Sequence, residues 1–182
     1  MSRVIVLSLH TSPLEQPGHG DGGGMNVYVR ELSAALARAG STCEVFTRAQ
    51  SSDVVPIVEI EPGFRIHHVV AGPTVPLPKR HLHEFVDQFS ENVAQIVGGF
   101  DESPIAVHAN YWLSGVAGQA LKEKFGIPLV STFHTLDRVK AEASPEEIDS
   151  LDPHRRDRAE AEVIRRSDAV LASCQPEVDQ LV

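Results

Sequence analysis

A glycine-rich stretch near the N-terminus has the residue types of an anion-binding loop. Residues 10–28 read HTSPLEQPGHGDGGGMNVY, between the apolar run 4–9 and a segment with helical spacing. The last three glycines, residues 22–24, stand where that helix should begin. A helix N-terminus presents unpaired N–H groups and partial positive charge, and glycine lets a ligand approach the backbone closely. The pattern predicts a site for a phosphorylated ligand, although glycine content alone is equally compatible with a flexible surface loop.

The same loop contains a formal match to the dinucleotide-binding pattern G-x-G-x-x-G, at residues 18–23. In a dinucleotide fold the first glycine follows the strand directly, because the turn brings the pyrophosphate onto the helix N-terminus. Here residues 10–17 intervene, so a nicotinamide or flavin site is the less favoured alternative. The sequence has no G-x-x-x-x-G-K-[ST] pattern, which argues against a P-loop nucleotide hydrolase.

Polar side chains follow several of the predicted strands at the point where each strand ends. Ligands of α/β sheets bind outside the carboxyl ends of the strands, so these residues are expected at one edge of the sheet. Two of them also have a purely structural alternative, since Tyr111 could cap the core and His134 could be a near-core histidine. The residues expected at this edge are His10, Asn110, Tyr111, His134, Thr135, Ser173 and Cys174.

Two basic segments could bring positive charge to that edge. Lys79 follows a proline-rich loop, and Arg155 and Arg156 open a late helix. A lysine and an arginine, joined by the phenol of Tyr111 and the hydroxyl of Thr135, would form a good phosphate pocket. The alternative for Lys79 and Arg155 is an ordinary solvated surface charge.

The elements that must position these residues alternate between strands and helices. Such alternation predicts an α/β fold, with a parallel sheet and helices on both faces. Residues 57–60 and 65–70 flank a Pro-Gly turn and could form a hairpin, and the acidic segment 141–153 is interpreted as a loop or a frayed helix. The other predicted strands are residues 4–9, 43–47, 105–108, 129–132 and 169–172, and the predicted helices are residues 25–39, 80–97, 114–125, 154–166 and a last helix near Pro176.

Composition limits the classes of function. The chain has 182 residues, enough for one domain with a core, and a formal net charge of −9. That charge argues against nucleic acid or anionic membranes as the main partner. No run of about 18 apolar residues could span a membrane, and the N-terminus lacks a signal-peptide pattern. Because Cys43 and Cys174 are far apart and form no metal-type spacing, we expect a reduced, cytoplasmic protein without a metal site.

The chain resembles glycosyltransferase family 4 over essentially its whole length, most closely the members that start mycothiol synthesis. The family has two Rossmann-like domains, the GT-B architecture, in which the first binds the acceptor and the second binds the nucleotide-sugar donor. The resemblance implies that residues 1–182 form the first domain and that the donor domain is absent from this chain. The motifs that carry it are the stretch 10–28, NYWLSG at residues 110–115, TFHTL at residues 132–136 and the spacing of Arg156, Glu160 and Asp168.

The resemblance also implies roles for individual residues. His134 would contact the transferred sugar as the catalytic residue. The acceptor phosphate would be held by Lys79, Tyr111, Thr135 and Arg156, with Arg155 as the alternative to Arg156 because the preceding segment is hard to align. The remaining acceptor-facing residues would be His10, Asp21, Gly22, Gly23, Gly24, Met25 and Asn26, and the donor-facing residues would be Gln16, Pro17 and Gly24.

The reaction implied by the resemblance is the retaining transfer of a sugar from a nucleotide sugar, UDP-linked by family likeness, to a hydroxyl of a phosphorylated acceptor such as inositol phosphate. The donor phosphate would act as the base, so no pair of protein carboxylates is required, unlike in glycoside hydrolases. The chain alone is expected to be inactive, and its uncovered interdomain face predicts a tendency to form homodimers. A non-catalytic module that binds sugar phosphates is the alternative from a different class.

Overall fold

The computed structural model describes residues 2–16, 18, 23–136, 152 and 154–181. Seven strands of these residues form one sheet, in the order β3-β4-β2-β1-β5-β6-β7. Every neighbouring pair is parallel except β3 and β4, which form an antiparallel hairpin at one edge. The strands are β1 (Arg3–Leu7), β2 (Thr42–Arg48), β3 (Ile57–Glu61), β4 (Phe64–Val69), β5 (Ala106–Asn110), β6 (Leu129–Thr132) and β7 (Ala169–Val170).

Helices connect most of the parallel strands. A 3₁₀ helix, Lys79–Phe85, runs directly into the second α-helix. None of the helices among the described residues is both long enough and apolar enough to cross a membrane. The α-helices are α1 (Gly24–Arg38), α2 (Val86–Gly98), α3 (Trp112–Phe125), α4 (Arg155–Arg166) and α5 (Gln175–Leu181).

Each face of the sheet has its own hydrophobic core. Val6 and Val45 pack with Val29 of α1, whereas Ile5 and Leu7 belong to a larger cluster built with α2 and α3. Successive residues of a strand point to opposite faces, so a strand buried on both sides must be apolar along its whole length. This explains why residues 4–9 form a nearly continuous apolar run, and it confirms the predicted parallel sheet with helices on both faces.

The predicted hairpin is present, and the sheet continues through it. Strand β4 is antiparallel to β3 on one side and parallel to β2 on the other. Strand β5 runs two residues further than predicted, because Asn110 still pairs with Thr132 of β6. The polar residues at the end of this strand therefore begin within the sheet itself.

The single helix predicted over residues 80–97 was wrong in one respect. The segment begins as the 3₁₀ helix, and α2 starts only at Val86. Phe85, at the junction, has φ −114° and ψ 7°, which lies outside α-helical geometry. The interpretation of residues 141–153 lies almost wholly outside the described residues.

Candidate ligand site at the carboxyl edge of the sheet

The candidate site lies where β1, β5 and β6 end side by side. The backbone N–H of Tyr111 donates to the carbonyl of Thr132 at 2.8 Å, which ties the turn after β5 to the end of β6. On the other side, the backbone N–H of Leu9 donates to the hydroxyl of Ser114 at 3.0 Å. These bonds bring the residues that follow the three strands to one edge, as the topology rule predicts.

An aromatic and cationic cluster occupies this edge. The ring centroids of His10 and Tyr111 are 4.4 Å apart, and the Arg156 guanidinium carbon lies 4.9 Å from the Tyr111 centroid. Arg156 donates from Nη2 to the carbonyl of Thr135, and from Nε to Glu160 Oε1 at 2.7 Å. The guanidinium is therefore fixed over an aromatic face, which suits its planar shape.

The structure distinguishes the two neighbouring arginines. The Arg156 side chain is only 14% exposed and forms an i,i+4 pair with Glu160 on helix α4. Arg155 instead approaches Asp152, with Nε 3.6 Å from Oδ2. Arg156 is thus the arginine that contacts Tyr111 and Thr135, while its role as a phosphate ligand stays a prediction.

Helix α4 reaches the site because α3 has a glycine where the two helices meet. A Cβ added to Gly115 would lie 2.7 Å from Cγ1 and 2.9 Å from Cγ2 of Val163. Any larger residue would push α4 outwards and carry Arg156 with it. The glycine of the NYWLSG motif therefore sets the distance between the arginine and the strand ends.

Lys79 is the fourth residue of the predicted phosphate pocket. It is half-buried and begins the 3₁₀ helix directly after Pro78. The contacts described above join Tyr111, Thr135 and Arg156, so three of the four predicted residues are brought together. That Lys79 completes the pocket stays a prediction.

Two residues of the site have strained backbone conformations. Tyr111 has φ +76° and His134 has φ +64°, and they are the only non-glycine residues with positive φ in the described part of the chain. Such conformations cost on the order of 1–3 kcal/mol each and cluster at functional sites, where the surrounding structure holds them. Both follow strand ends, and both were predicted as site residues from the sequence.

His134 is held as a neutral imidazole. Its Nε2 lies 3.0 Å from Asn110 Oδ1, and its ring packs edge-on against Tyr28 with centroids 5.0 Å apart. Because an amide oxygen only accepts, Nε2 carries the proton and Nδ1 is the acceptor in this assignment. Burial, with a smaller effect from His108, lowers the pKa of His134 to about 4. At neutral pH this side chain can exchange hydrogen bonds with a ligand without carrying charge.

His108 is a buried histidine near His134, which sequence reasoning missed because it is the last residue of a predicted strand. Its Nε2 is 2.9 Å from the hydroxyl of Thr132, and burial lowers its pKa to about 4. The ring centroid of Tyr28 lies 6.3 Å from that of His108 and 5.0 Å from that of His134, and the ring is edge-on to both histidines. Tyr28 closes the first family motif, which was the only available signal for it.

Asn26 connects the loop after β1 to the start of α1. Its Nδ2 donates to the Thr11 hydroxyl and to the Ser12 carbonyl, both at 2.6 Å, and its Oδ1 accepts from the N–H of Gly23 at 3.2 Å. The side chain is 1% exposed, and its hydrogen bonds are made within the protein. The structure gives Asn26 a positioning role, and its predicted contact with the acceptor remains a prediction.

The same network continues to the end of β2. The Thr11 hydroxyl donates to Glu15 Oε2 at 3.0 Å, and the Gln50 amide donates to Glu15 Oε1 at 3.1 Å. Sequence reasoning missed these three residues because their partners are not related by any regular spacing. Together with Asn26 they fix the described part of the loop against the sheet.

Among the described residues, nothing crowds the helix N-terminus at Gly23 and Gly24. Gly23 is the N-cap residue of α1 and has φ −147°, an extended conformation that most residues adopt. A Cβ added to either glycine would meet no atom within 4 Å. Neither the backbone conformation nor packing among described residues requires glycine here, which leaves the close approach of a ligand as the predicted reason.

The remaining predicted residues divide into two groups. Gln16 is exposed, and Met25 packs against the core under α1. Pro17, Asp21 and Gly22 lie outside the described residues, so their contacts stay predictions. Among the side chains that the structure describes, no group of three or more His, Cys, Asp or Glu could hold a metal ion.

The fold and the edge site define a class of protein. Residues 23–182 match the family described as a glycosyl transferase 4-like domain, and the chain belongs to this family. The sheet, with helices on both faces, is the Rossmann-like fold of the N-terminal half of GT-B glycosyltransferases. Sucrose-phosphate synthase from Thermosynechococcus elongatus superposes with a TM-score of 0.91 at 30% identity, over 100% of this chain and 44% of that one.

A more specific likeness comes from curated relatives. The D-inositol 3-phosphate glycosyltransferase of Xylanimonas cellulosilytica is 47% identical over 182 residues, covering 99% of this chain and 43% of the relative. This chain therefore spans less than half of the length of that relative. The structure of HepE from Anabaena in complex with UDP and glucose shares the fold, with a TM-score of 0.59 at 14% identity, over 100% of this chain and 40% of that one.

Proposed function

We propose that this chain is the acceptor-binding half of a retaining glycosyltransferase that moves a sugar from a UDP-sugar to a hydroxyl of inositol phosphate. The observation that carries the proposal is the Arg156 guanidinium, held over Tyr111 and beside Thr135 at the carboxyl edge of the sheet. A guanidinium matches a phosphate group in geometry and charge, and the hydroxyls of Tyr111 and Thr135 would add further hydrogen bonds to it. The name of the most similar relatives supplies inositol phosphate as the compound that carries this phosphate.

The acceptor is held from several segments in this proposal. Lys79 supplies a second cation from the start of the 3₁₀ helix, and Tyr111 and Thr135 supply hydroxyls from the ends of β5 and β6. His10 packs against Tyr111 and keeps its ring in place. Because the Nε of Arg156 is engaged by Glu160, the guanidinium orientation is set before the phosphate arrives.

The donor is bound between this chain and a second domain. The N-terminus of α1 at Gly24 is suited to the donor phosphates, since the helix dipole and the N–H groups of the first helical turn favour an anion. Gln16 and Pro17 contact the nucleotide sugar. The solved structures that share this fold and contain UDP support a uridine nucleotide, and the donor domain is the main partner of this chain.

The chemistry requires positioning more than a protein base. The acceptor hydroxyl attacks the anomeric carbon from the face that the donor phosphate leaves. A new carbon–oxygen bond forms, the bond to the phosphate breaks, and a phosphate oxygen takes the proton. His134, neutral at pH 7, exchanges hydrogen bonds with the transferred sugar and thereby orients it. The reaction so described takes place in the cytoplasm, as the first step of mycothiol synthesis.

A screen of donors and acceptors on the full-length protein tests this proposal. We expect transfer from a UDP-sugar to inositol phosphate, little transfer to unphosphorylated inositol, and a product whose anomeric configuration, measured by NMR, matches that of the donor. Binding of inositol phosphate without any transfer would instead support the non-catalytic module. An inverted product would contradict the retaining reaction.

A further inference from the structure

Arg48 is a buried cation that the proposed reaction does not yet use. It is the last residue of β2 and is 2% exposed. Among the residues that the structure describes, no carboxylate forms an ion pair with it; its guanidinium donates only to backbone carbonyls. A buried charge of this kind is retained only where its hydrogen bonds are well satisfied.

Apart from the carbonyl of Ala49, 3.1 Å from Nη1, the carbonyls that Arg48 contacts belong to residues 71–75, in and next to the proline-rich loop before Lys79. Nη1 donates to Pro73 at 2.7 Å, and Nη2 donates to Val75 at 2.5 Å, with a longer contact of 3.5 Å from Nη1 to Ala71. Proline lacks an N–H group, so a loop rich in proline has few backbone donors with which to pair its own carbonyls. The guanidinium supplies those donors and fixes the path of the loop.

The other side of this loop is fixed to the 3₁₀ helix that carries Lys79. Gly72 has φ +67°, and a Cβ added there would lie 2.5 Å from Cδ1 of Phe85, in the last turn of that helix. The N–H of Gly72 also donates to Gln88 at 2.7 Å. Arg48, the loop and the 3₁₀ helix therefore form one continuous set of contacts.

We infer that Arg48 is a positioning residue for the acceptor phosphate, which it serves by holding the 71–75 loop and hence Lys79 at the site. This inference rests on the proposed function, in which Lys79 binds that phosphate. Arg48 itself contacts loop carbonyls and not the ligand. Its effect on catalysis should therefore pass through Lys79 and be confined to acceptor binding.

A double-mutant cycle between Arg48 and Lys79 tests the inference in the full-length protein. Arg48→Lys keeps the charge but cannot span two carbonyls, and we expect it to raise the KM for inositol phosphate at least about fivefold. The kcat and the KM for the UDP-sugar should stay within about twofold of the wild type. In the Lys79→Ala background, Arg48→Lys should add no further change to the acceptor KM.

Two further variants keep the test decisive. Gly72→Ala forces the loop away from Phe85 while residue 48 remains arginine. It should also raise the acceptor KM in the wild-type background but not in the Lys79→Ala background. Arg65→Lys is the matched control, because it makes the same substitution at an arginine that binds Glu44 in the sheet and not the loop. It should lower the melting temperature and leave the acceptor KM unchanged.

The possible failures are distinguishable. If Lys79→Ala leaves the acceptor KM unchanged, the phosphate pocket of the proposed function is wrong, and the role of Arg48 falls with it. If Lys79→Ala raises that KM but Arg48→Lys and Gly72→Ala have no effect, or have fully additive effects, the positioning role alone is overturned.

Discussion

Two buried polar regions of this molecule contain histidines and arginines, and they differ in how their charges are matched. Within the sheet, Glu44 is fully buried and accepts hydrogen bonds from Arg65 Nε at 3.1 Å and from His67 Nε2 at 2.7 Å. Burial by itself would raise the Glu44 pKa, but the bonds from His67 and Arg65 lower it overall. We call this group the Glu44 cluster, and it lies on regular strands.

The carboxyl edge is built differently. His108 is buried and His134 is half-buried, neither ring has a carboxylate partner among the described residues, and burial lowers their pKa values to about 4. Tyr111 and His134 have positive φ, and Arg156 lies over an aromatic ring. The Glu44 cluster thus has its charges matched within regular strands, whereas the edge combines neutral histidines and the Arg156–Glu160 pair with two residues, Tyr111 and His134, of strained backbone. The first arrangement stabilises a fold, and the second is suited to receive a ligand.

The largest effect on the edge should come from blocking the helix N-terminus. Gly23→Val in the full-length protein should abolish transfer, at least about a hundredfold in kcat/KM, because its side chain would fill the space that the donor phosphates need. Gly98→Val is the matched control, since a Cβ at Gly98 also meets no atom within 4 Å but lies at the end of α2. Full activity in a folded Gly23→Val variant would show that this loop binds no ligand.

The next largest effect should come from the Glu44 cluster and should be on stability alone. Glu44→Gln leaves Arg65 and His67 without their buried carboxylate, which should cost roughly 3 kcal/mol in the free energy of unfolding, measured by urea denaturation. Glu162→Gln, on the surface of α4, should cost much less. A changed acceptor KM in Glu44→Gln would contradict the claim that the Glu44 cluster affects stability alone.

The histidines of the edge should make stability depend on pH. The unfolded pKa of His108 is near 6.5 and its folded pKa is about 4, so between these values the unfolded state binds the proton and the free energy of unfolding decreases as pH falls. His108→Gln should remove about 2 kcal/mol of this decrease by pH 4.5. His81→Gln, at an exposed position, is the control substitution. Identical pH profiles for wild type and His108→Gln would contradict the neutral buried imidazole.

A smaller effect should separate the two arginines of α4. Arg156→Ala should weaken the binding of inositol phosphate about tenfold or more, since a charged hydrogen bond contributes about 1.5–3 kcal/mol. Arg155→Ala should change the acceptor KM by less than about twofold, because Arg155 approaches Asp152 and not Tyr111. Acceptor kinetics at saturating UDP-sugar measure both, and the reverse order would assign the phosphate to Arg155.

The sequence predicted those parts of the site that follow from local pattern and topology. Tyr111, His134 and Thr135 come directly after strands, so the rule for parallel sheets placed them at one edge. To select Arg156, the family motif was needed as well. Arg155 and Arg156 have the same side chain, and they differ only in the direction in which α4 points them. The division of residues 79–98 into two helices depends on how Phe85 packs, which periodicity does not encode.

The residues that sequence reasoning missed were missed for a different reason. Arg48, Glu15 and Gln50 act through hydrogen bonds to groups far away in the sequence, and no spacing rule connects them. His108 lies within a strand. The alternation of side chains along that strand does not indicate that its neighbours in space are Tyr28 and Thr132. Such contacts become visible only when the chain is folded, because tertiary packing and not local propensity creates them.

The most direct test of the proposed site is the preference for a phosphorylated acceptor. We would measure kcat/KM of the full-length wild type and of Arg156→Ala with inositol phosphate and with inositol. If the edge binds the phosphate, the wild type should favour inositol phosphate strongly, and Arg156→Ala should lose about tenfold or more of that preference while its activity on inositol stays nearly unchanged. An equal loss on both acceptors, or an unchanged preference, would show that Arg156 does not bind the phosphate.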